Sequence, residues 1–154
     1  MRYFAYGSNL DPVQMRSRCP SSVFVAIARL TDHALAFTRF APRRGCGVAD
    51  VVARRGSTVW GVVYDLSDAD GRRLDAFEGF VPGRSGNGYR RVAKTVVARD
   101  ADAQALRVVT YEVCERRTEH VPPDRRYLAH LLAGAAAWNL PAAYVSTLRA
   151  VPLA

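Results

Sequence analysis

Apolar and polar positions along the chain repeat with two different periods, and each change of period marks a new element. Residues 2–6 form a short aromatic strand that stops at the turn-forming Gly7-Ser8-Asn9. Asp11 followed by Pro12 is an N-cap and first-turn pair, which predicts a helix over 11–18 that ends before Cys19-Pro20. β-branched and aromatic runs then recur at 23–30, 33–40, 48–54 and 58–66, each bounded by Gly, Pro, Asp or Arg-Gly. In the second run Leu35 and Phe37 share one face. Ser67 with an acid three residues on, the apolar pair Leu74 and Phe77, and Gly79 as a stop predict a helix over 68–78. Strands follow at 89–99 and 105–115. Beyond Pro122-Pro123, Leu128, Leu131, Leu132 and Ala135 repeat at helical spacing over 124–138, and 141–148 makes a last, shorter helix.

A strand-rich middle with helices inserted and appended is an α+β pattern, and short strands at this spacing suggest a small, mainly antiparallel barrel with flanking helices. The 154 residues contain no repeat or low-complexity linker, so one domain over 1–154 is expected. Residues 80–88, FVPGRSGNG, have many Gly and few apolar anchors and are expected to form a mobile surface loop.

Composition narrows the classes. With 49% hydrophobic and 23% charged residues the chain fits neither disordered nor collagen-like usage. No apolar run approaches the roughly 20 residues of a membrane helix. Met1-Arg2 leads into aromatic residues and a turn with no signal-peptide core, so a cytoplasmic protein is expected. Cys19, Cys46 and Cys114 are odd in number and lie in no CxxC pair, which suggests three small buried hydrophobes and neither a disulfide framework nor a zinc site. The net charge of +8 comes from 22 basic residues, of which only Lys94 is not arginine. The arginines are spread in pairs over the whole chain, so they read as a composition bias or a mild attraction for anionic substrates, not as a nucleic-acid footprint.

No GxSxG elbow, phosphate-binding loop or HExxH is present, and His33, His120 and His130 lie in unrelated contexts, so neither metal nor triad chemistry is indicated. Two features remain. In Tyr6-Gly7-Ser8-Asn9-Leu10 a glycine turn leaves a strand and precedes a helix; it can aim backbone N–H groups at one anion, or it can be a plain turn. Ser8 has no base placed by sequence to make it a nucleophile. Glu78 is one of four glutamates; the other three lie at 112–119 around Arg116 and Arg117. In the last helical turn, beside Phe77 and Phe80, its pKa should rise through the helix dipole and desolvation. A carboxyl tuned in this way can exchange a proton near neutral pH. A solvated glutamate at a frayed helix end fits the same local residues.

The segments YGSNL at 6–10, VWGVVYDL at 59–66, LDAFEG at 74–79, the step Gly88-Tyr89, the strand around Tyr111 and the entry Pro122-Pro123 to Tyr127 occur in an order that resembles the γ-glutamylcyclotransferase, or AIG2-like, family over nearly the entire chain. The resemblance implies a small mixed-sheet barrel with a cavity for a γ-glutamyl compound. It implies that Glu78 is the acid/base, and that Tyr3, Phe4, Ala5, Tyr6, Gly7, Ser8, Asn9 and Leu10 belong to the substrate-binding segment, with Tyr111 and Tyr89 lining the pocket. The implied reaction is intramolecular aminolysis to 5-oxoproline and free amine, without cofactor or metal. YGSNL resembles the branch acting on γ-glutamyl amino acids more than the amine-specific or glutathione-specific branches. Two other readings are a non-catalytic γ-glutamyl-binding protein of the same fold and a basic nucleic-acid-binding small barrel. The expected partner is a small molecule, with neither nucleic acid nor membrane; a homodimer is compatible with the sequence but not derivable from it.

Overall fold

The computed structural model describes residues 1–154. The elements are β1 (Arg2–Ala5), a 3-10 turn (Ser8–Leu10), α1 (Pro12–Arg18), β2 (Val23–Ala41), β3 (Cys46–Asp65), α2 (Asp68–Glu78), β4 (Tyr89–Ala98), β5 (Ala105–Val113), α3 (Arg125–Ala137) and α4 (Ala142–Arg149). The strands close into a barrel in the order β1-β3-β2-β4-β5. All pairings are antiparallel except the closure of β1 on β5, which is parallel at Tyr3 and Val109. Closure removes the exposed sheet edges that a five-stranded open sheet would carry.

The four runs expected between 23 and 66 are two long strands. The interruptions at 31–32 and 55–57 are bulges in one continuous hairpin, and only 42–45 is a turn. Asp32 and Gly56 both have left-handed backbone (φ 55° and 82°), and the Gly56 N–H donates to Asp32 Oδ1 at 2.9 Å. The register passes from Thr31 opposite Thr58 to His33 opposite Ala53, so Arg54-Arg55-Gly56-Ser57 bow out while the ladder resumes on both sides.

Local capping sets the helix starts. Asp11, Ser67 and Asp124 accept from the N–H groups of Val13 (2.9 Å), Asp70 (3.1 Å) and Tyr127 (2.7 Å), and Gly79 at φ 66° ends α2. Asp70 does not complete a capping box. Its carboxylate accepts from the N–H and hydroxyl of Ser21 at 2.9 and 2.6 Å, which ties the start of α2 to the segment after α1.

One core runs through the barrel and under the helices, with Phe4, Leu10, Met15, Leu74, Leu131 and Leu148 among its fully buried side chains. Burying each such side chain contributes roughly 1.5–3 kcal/mol. α3 crosses the 6–10 turn closely: a Cβ at Gly134 would overlap the Leu10 carbonyl group. Trp138 Nε1 donates to the Leu10 carbonyl at 3.0 Å, and His130 Nδ1 lies 2.7 Å from Asp11 Oδ2. The turn is thereby clamped between the barrel and a helix more than a hundred residues away in sequence.

Residues 80–88 form a surface loop, as expected, and it carries internal hydrogen bonds. Asn87, buried, accepts from the Val81 N–H (3.2 Å) and Arg84 Nε (2.9 Å) and donates to the Val81 and Arg84 carbonyls (2.9 and 3.1 Å). One amide side chain thus links Val81 and Arg84 to the end of the loop. Cys19 and Cys46 are buried, whereas Cys114 is exposed, contrary to expectation, because it follows the last residue of β5. No helix is long and apolar enough to cross a membrane.

Candidate active site

The clamped turn, the end of α2 and the β2–β3 hairpin surround a cavity of about 660 Å³. This is within the usual range for a small-molecule site. Glu78, the last residue of α2, lies on its wall with a side chain 17% exposed. Asn9 reaches it from the turn. Asn9 Nδ2 donates to Glu78 Oε1 at 3.2 Å and to the Tyr3 hydroxyl at 3.1 Å, while Asn9 Oδ1 accepts from Arg18 Nη1 at 2.8 Å and Gln14 Nε2 at 3.2 Å. Arg18 itself stays 3.8 Å from Glu78 and stacks on the Phe77 ring.

Burial is the main influence on Glu78 and holds its pKa above the ordinary glutamate value; Arg18, the Asn9 hydrogen bond, Arg44 and Arg39 pull it back. The carboxyl is therefore under-compensated. The surrounding tyrosines move the other way from useful bases. Burial pushes Tyr3, Tyr6 and Tyr89 well above the usual phenol range and Tyr127 up to about 12, so all four stay neutral near pH 7. Tyr6 and Tyr89 donate to the Tyr111 and Ala49 carbonyls at 2.6 and 2.7 Å. Tyr111 donates to Asp75 Oδ1 at 2.6 Å, and Asp75 is bound in turn by Arg91 Nε at 2.7 Å, so Tyr111 presents its ring and not its hydroxyl.

Gly7, Ser8 and Asn9 line the cavity, and the N–H groups of Gly7 and Asn9 form no hydrogen bond within the protein. The Ser8 N–H faces the Tyr127 hydroxyl, which also accepts from the Ala49 N–H at 3.0 Å. Unpaired donors in a largely enclosed turn are uncommon and mark a place for an acceptor. Ser8 Oγ accepts from Gln14 Nε2 at 2.7 Å and Arg44 Nη2 at 3.2 Å; both neighbours are donors and neither can act as its base.

Of the residues singled out in the sequence, Glu78, Tyr3, Tyr6, Gly7, Ser8, Asn9, Tyr89 and Tyr111 line this one cavity. Phe4, Ala5 and Leu10 do not. All three are fully buried elsewhere: strand alternation turns Phe4 to the opposite face from Tyr3, Ala5 is enclosed in the core, and Leu10 packs under Gly134. Sequence reasoning missed Tyr127 as a wall residue and the arginines Arg18, Arg39, Arg43, Arg44 and Arg84. Tyr127 sat in a recognised segment, but nothing local distinguished these five arginines from the rest. No group of three or more His, Cys, Asp or Glu side chains is arranged to hold a metal ion.

A closed barrel with one tuned carboxyl beside a donor-rich turn defines a small-molecule site with acid/base capacity. Comparison with known proteins agrees. Residues 58–148 match the sequence profile of the AIG2-like family. The γ-glutamylcyclotransferase of Mus musculus is 30% identical over 153 residues, spanning 97% of this chain and 77% of the mouse protein. That of Bos taurus is 31% identical with the same coverage. A solved structure of a γ-glutamyl cyclotransferase superposes with a TM-score of 0.89 at 28% identity, covering 100% of this chain and 89% of the other. The chain belongs to the AIG2-like family.

Proposed function

We propose that the protein is a γ-glutamyl cyclotransferase, converting a γ-glutamyl amino acid or amine to 5-oxoproline and free amine. The observation that carries this reading is Glu78: a buried, incompletely paired carboxyl facing the same cavity as the free N–H groups of Gly7 and Asn9. Relatives named γ-glutamylcyclotransferase at 30–31% identity support it.

The α-amino nitrogen of the substrate attacks its own γ-carbonyl carbon; that C–N bond forms as the bond to the leaving nitrogen breaks. The α-ammonium sheds two protons on becoming the lactam N–H; Glu78 accepts them in turn, one before attack and one from the tetrahedral adduct, and passes each to the departing nitrogen, which leaves as an ammonium while the carboxylate ends as it began. Its pKa suits both directions, since burial raises it and the nearby guanidinium groups limit the rise. The turn N–H groups bind substrate oxygens. Nucleophile and electrophile belong to one molecule, so the neutral tyrosine wall, with Tyr3, Tyr89 and Tyr111, serves to hold the folded conformer. Every step is a proton transfer or acyl rearrangement and none calls for a cofactor. The reading is of a cytoplasmic enzyme of small molecules, with no nucleic-acid or membrane partner.

The test is 5-oxoproline formation from a panel of γ-glutamyl amino acids, γ-glutamylamines and glutathione, followed by mass spectrometry, with Glu78→Gln in parallel. Product from wild type and not from the variant is expected. Turnover retained in Glu78→Gln overturns the role of Glu78; no product from any substrate, with ligand-induced thermal stabilisation still present, replaces the enzyme by a binding protein.

A further inference from the structure

The cavity carries more positive charge than that reaction uses. Five arginines line it against one carboxylate, Glu78. Three are engaged. Arg18 bonds Asn9 beside Glu78, Arg44 bonds Ser8 and Gln14 at 3.2 and 3.0 Å, and Arg84 bonds Asn87 and the Gly79 carbonyl at 2.9 and 2.8 Å. Arg43 sits exposed on the β2–β3 turn, at the rim.

Arg39 is different. It is half-buried on β2, yet it has no carboxylate and no hydrogen-bond acceptor from the protein. It is nevertheless held. Its Cζ lies 5.6 Å from the centroid of the Tyr89 ring, and its guanidinium occupies the space that a Cβ at Gly88 would fill. Arg39 also lines an adjoining cavity of about 280 Å³ that shares Gly86 and Gly88 with the first. A planar cation with five N–H donors is thus fixed at the junction of two cavities without a hydrogen bond or ion pair, although the smaller cavity is also lined by Glu115 and Arg117. A partly desolvated charge of this kind favours an arriving anion, and the guanidinium fork matches a carboxylate.

Resting on the cyclotransferase reading, we infer that Arg39, with Arg43 at the rim, forms a leaving-group subsite for a side-chain carboxylate. The preferred substrates are then γ-glutamyl compounds whose leaving amino acid is itself acidic, ahead of neutral amino acids and of amines. A neutral leaving amino acid brings one carboxylate, for which the unpaired N–H groups of the 6–9 turn and the Arg44 N–H groups other than Nη2, which alone bonds Ser8 and Gln14, offer donors. An aspartate or glutamate leaving group brings a second, and Arg39 is the donor left without a partner.

The experiment compares γ-glutamyl-glutamate with γ-glutamyl-glutamine, which differ only in that side-chain charge. The wild-type ratio of kcat/KM is expected to favour the acidic dipeptide by about 10- to 100-fold, the range of one charge-assisted hydrogen-bond pair. Arg39→Gln should bring the ratio close to one. Gly88→Ala, whose new methyl displaces the guanidinium without removing its charge, should lower the ratio as well. A wild-type ratio at or below one, or a ratio unchanged in Arg39→Gln, overturns the subsite. Binding of both dipeptides to Glu78→Gln by calorimetry separates this from the reaction itself. Selective binding of the acidic dipeptide with no turnover by wild type would keep the subsite and refute the cyclotransferase; equal binding would refute the subsite whatever the turnover.

Discussion

Glu78 and Glu112 are both largely buried glutamates, with side chains 17% and 8% exposed, and their surroundings could hardly differ more. Glu112, on β5, has Lys94 Nζ at 2.6 Å, Arg90 at 3.5 Å and Arg116 at 3.8 Å. Nearby Asp50, fully buried, is held by Thr38, Arg116 and the Val113 N–H at 2.9, 2.6 and 3.0 Å. Glu78 has one amide hydrogen bond and an arginine that stops at 3.8 Å. Burial alone does not make a carboxyl chemically useful; burial with pairing deliberately incomplete does. The paired acids stitch strands together, and the under-paired one faces a cavity.

Breaking each side of this contrast should have opposite consequences. Glu78→Gln is expected to lower kcat/KM for 5-oxoproline formation by about 10³-fold or more, equivalent to about 4 kcal/mol. Glu112→Gln should leave it within about threefold, as steady-state kinetics on the same substrate would show.

The next largest effect falls on the clamp that brings Asn9 to Glu78 and has no counterpart at Glu112. Gly134→Ala forces a methyl into the Leu10 backbone and should cost about 2–3 kcal/mol in urea unfolding. Gly71→Ala, the same change in α2, meets only Met1 Cε at 3.7 Å and Arg91 Nη2 at 3.8 Å and should be neutral or stabilising by up to about 1 kcal/mol. Equal destabilisation of the two variants would remove the close α3 crossing as the explanation.

Glu112→Gln should then cost about 1–2 kcal/mol of stability. The figure is below that of a fully buried ion pair because Arg90 and Arg116 are 57% and 36% exposed. Unfolding in low and high salt tests it, the cost shrinking as salt screens the pairs.

The smallest effect is a matter of pH. Because the folded chain raises the Glu78 pKa above 4.5, that proton binding stabilises the fold fully below 4.5 and is lost as pH rises through the raised value. Glu78→Gln, which is neutral throughout, should therefore have a Tm equal to or about 1–3 °C above wild type at pH 8, with the gap closing towards pH 4. The acid limb of wild-type kcat/KM should fall above the ordinary value of 4.5, and a limb at or below it would contradict a desolvated Glu78.

What the sequence determined by itself is what short-range physics controls. Asp11-Pro12, Ser67 and Gly79 set the bounds of α1 and α2 because capping acts within one turn. The same locality made Glu78 stand out at a helix end and the 6–9 turn stand out as a donor-rich bend. Tertiary structure decided what depends on distant partners. Whether Asp32 and Gly56 bend a strand or end it depends on a ladder continuing on both sides of them. The bonds within FVPGRSGNG depend on one amide folded back into its own loop. Asp70 carries the sign of a capping box, but Ser21, 49 residues away, offers its carboxylate shorter bonds. Arg39 could not be distinguished among so many arginines by any local pattern. It is the placement of Gly88 and Tyr89 against β2 that fixes its guanidinium at the cavity junction, since charge and composition are properties of the chain but proximity is a property of the fold.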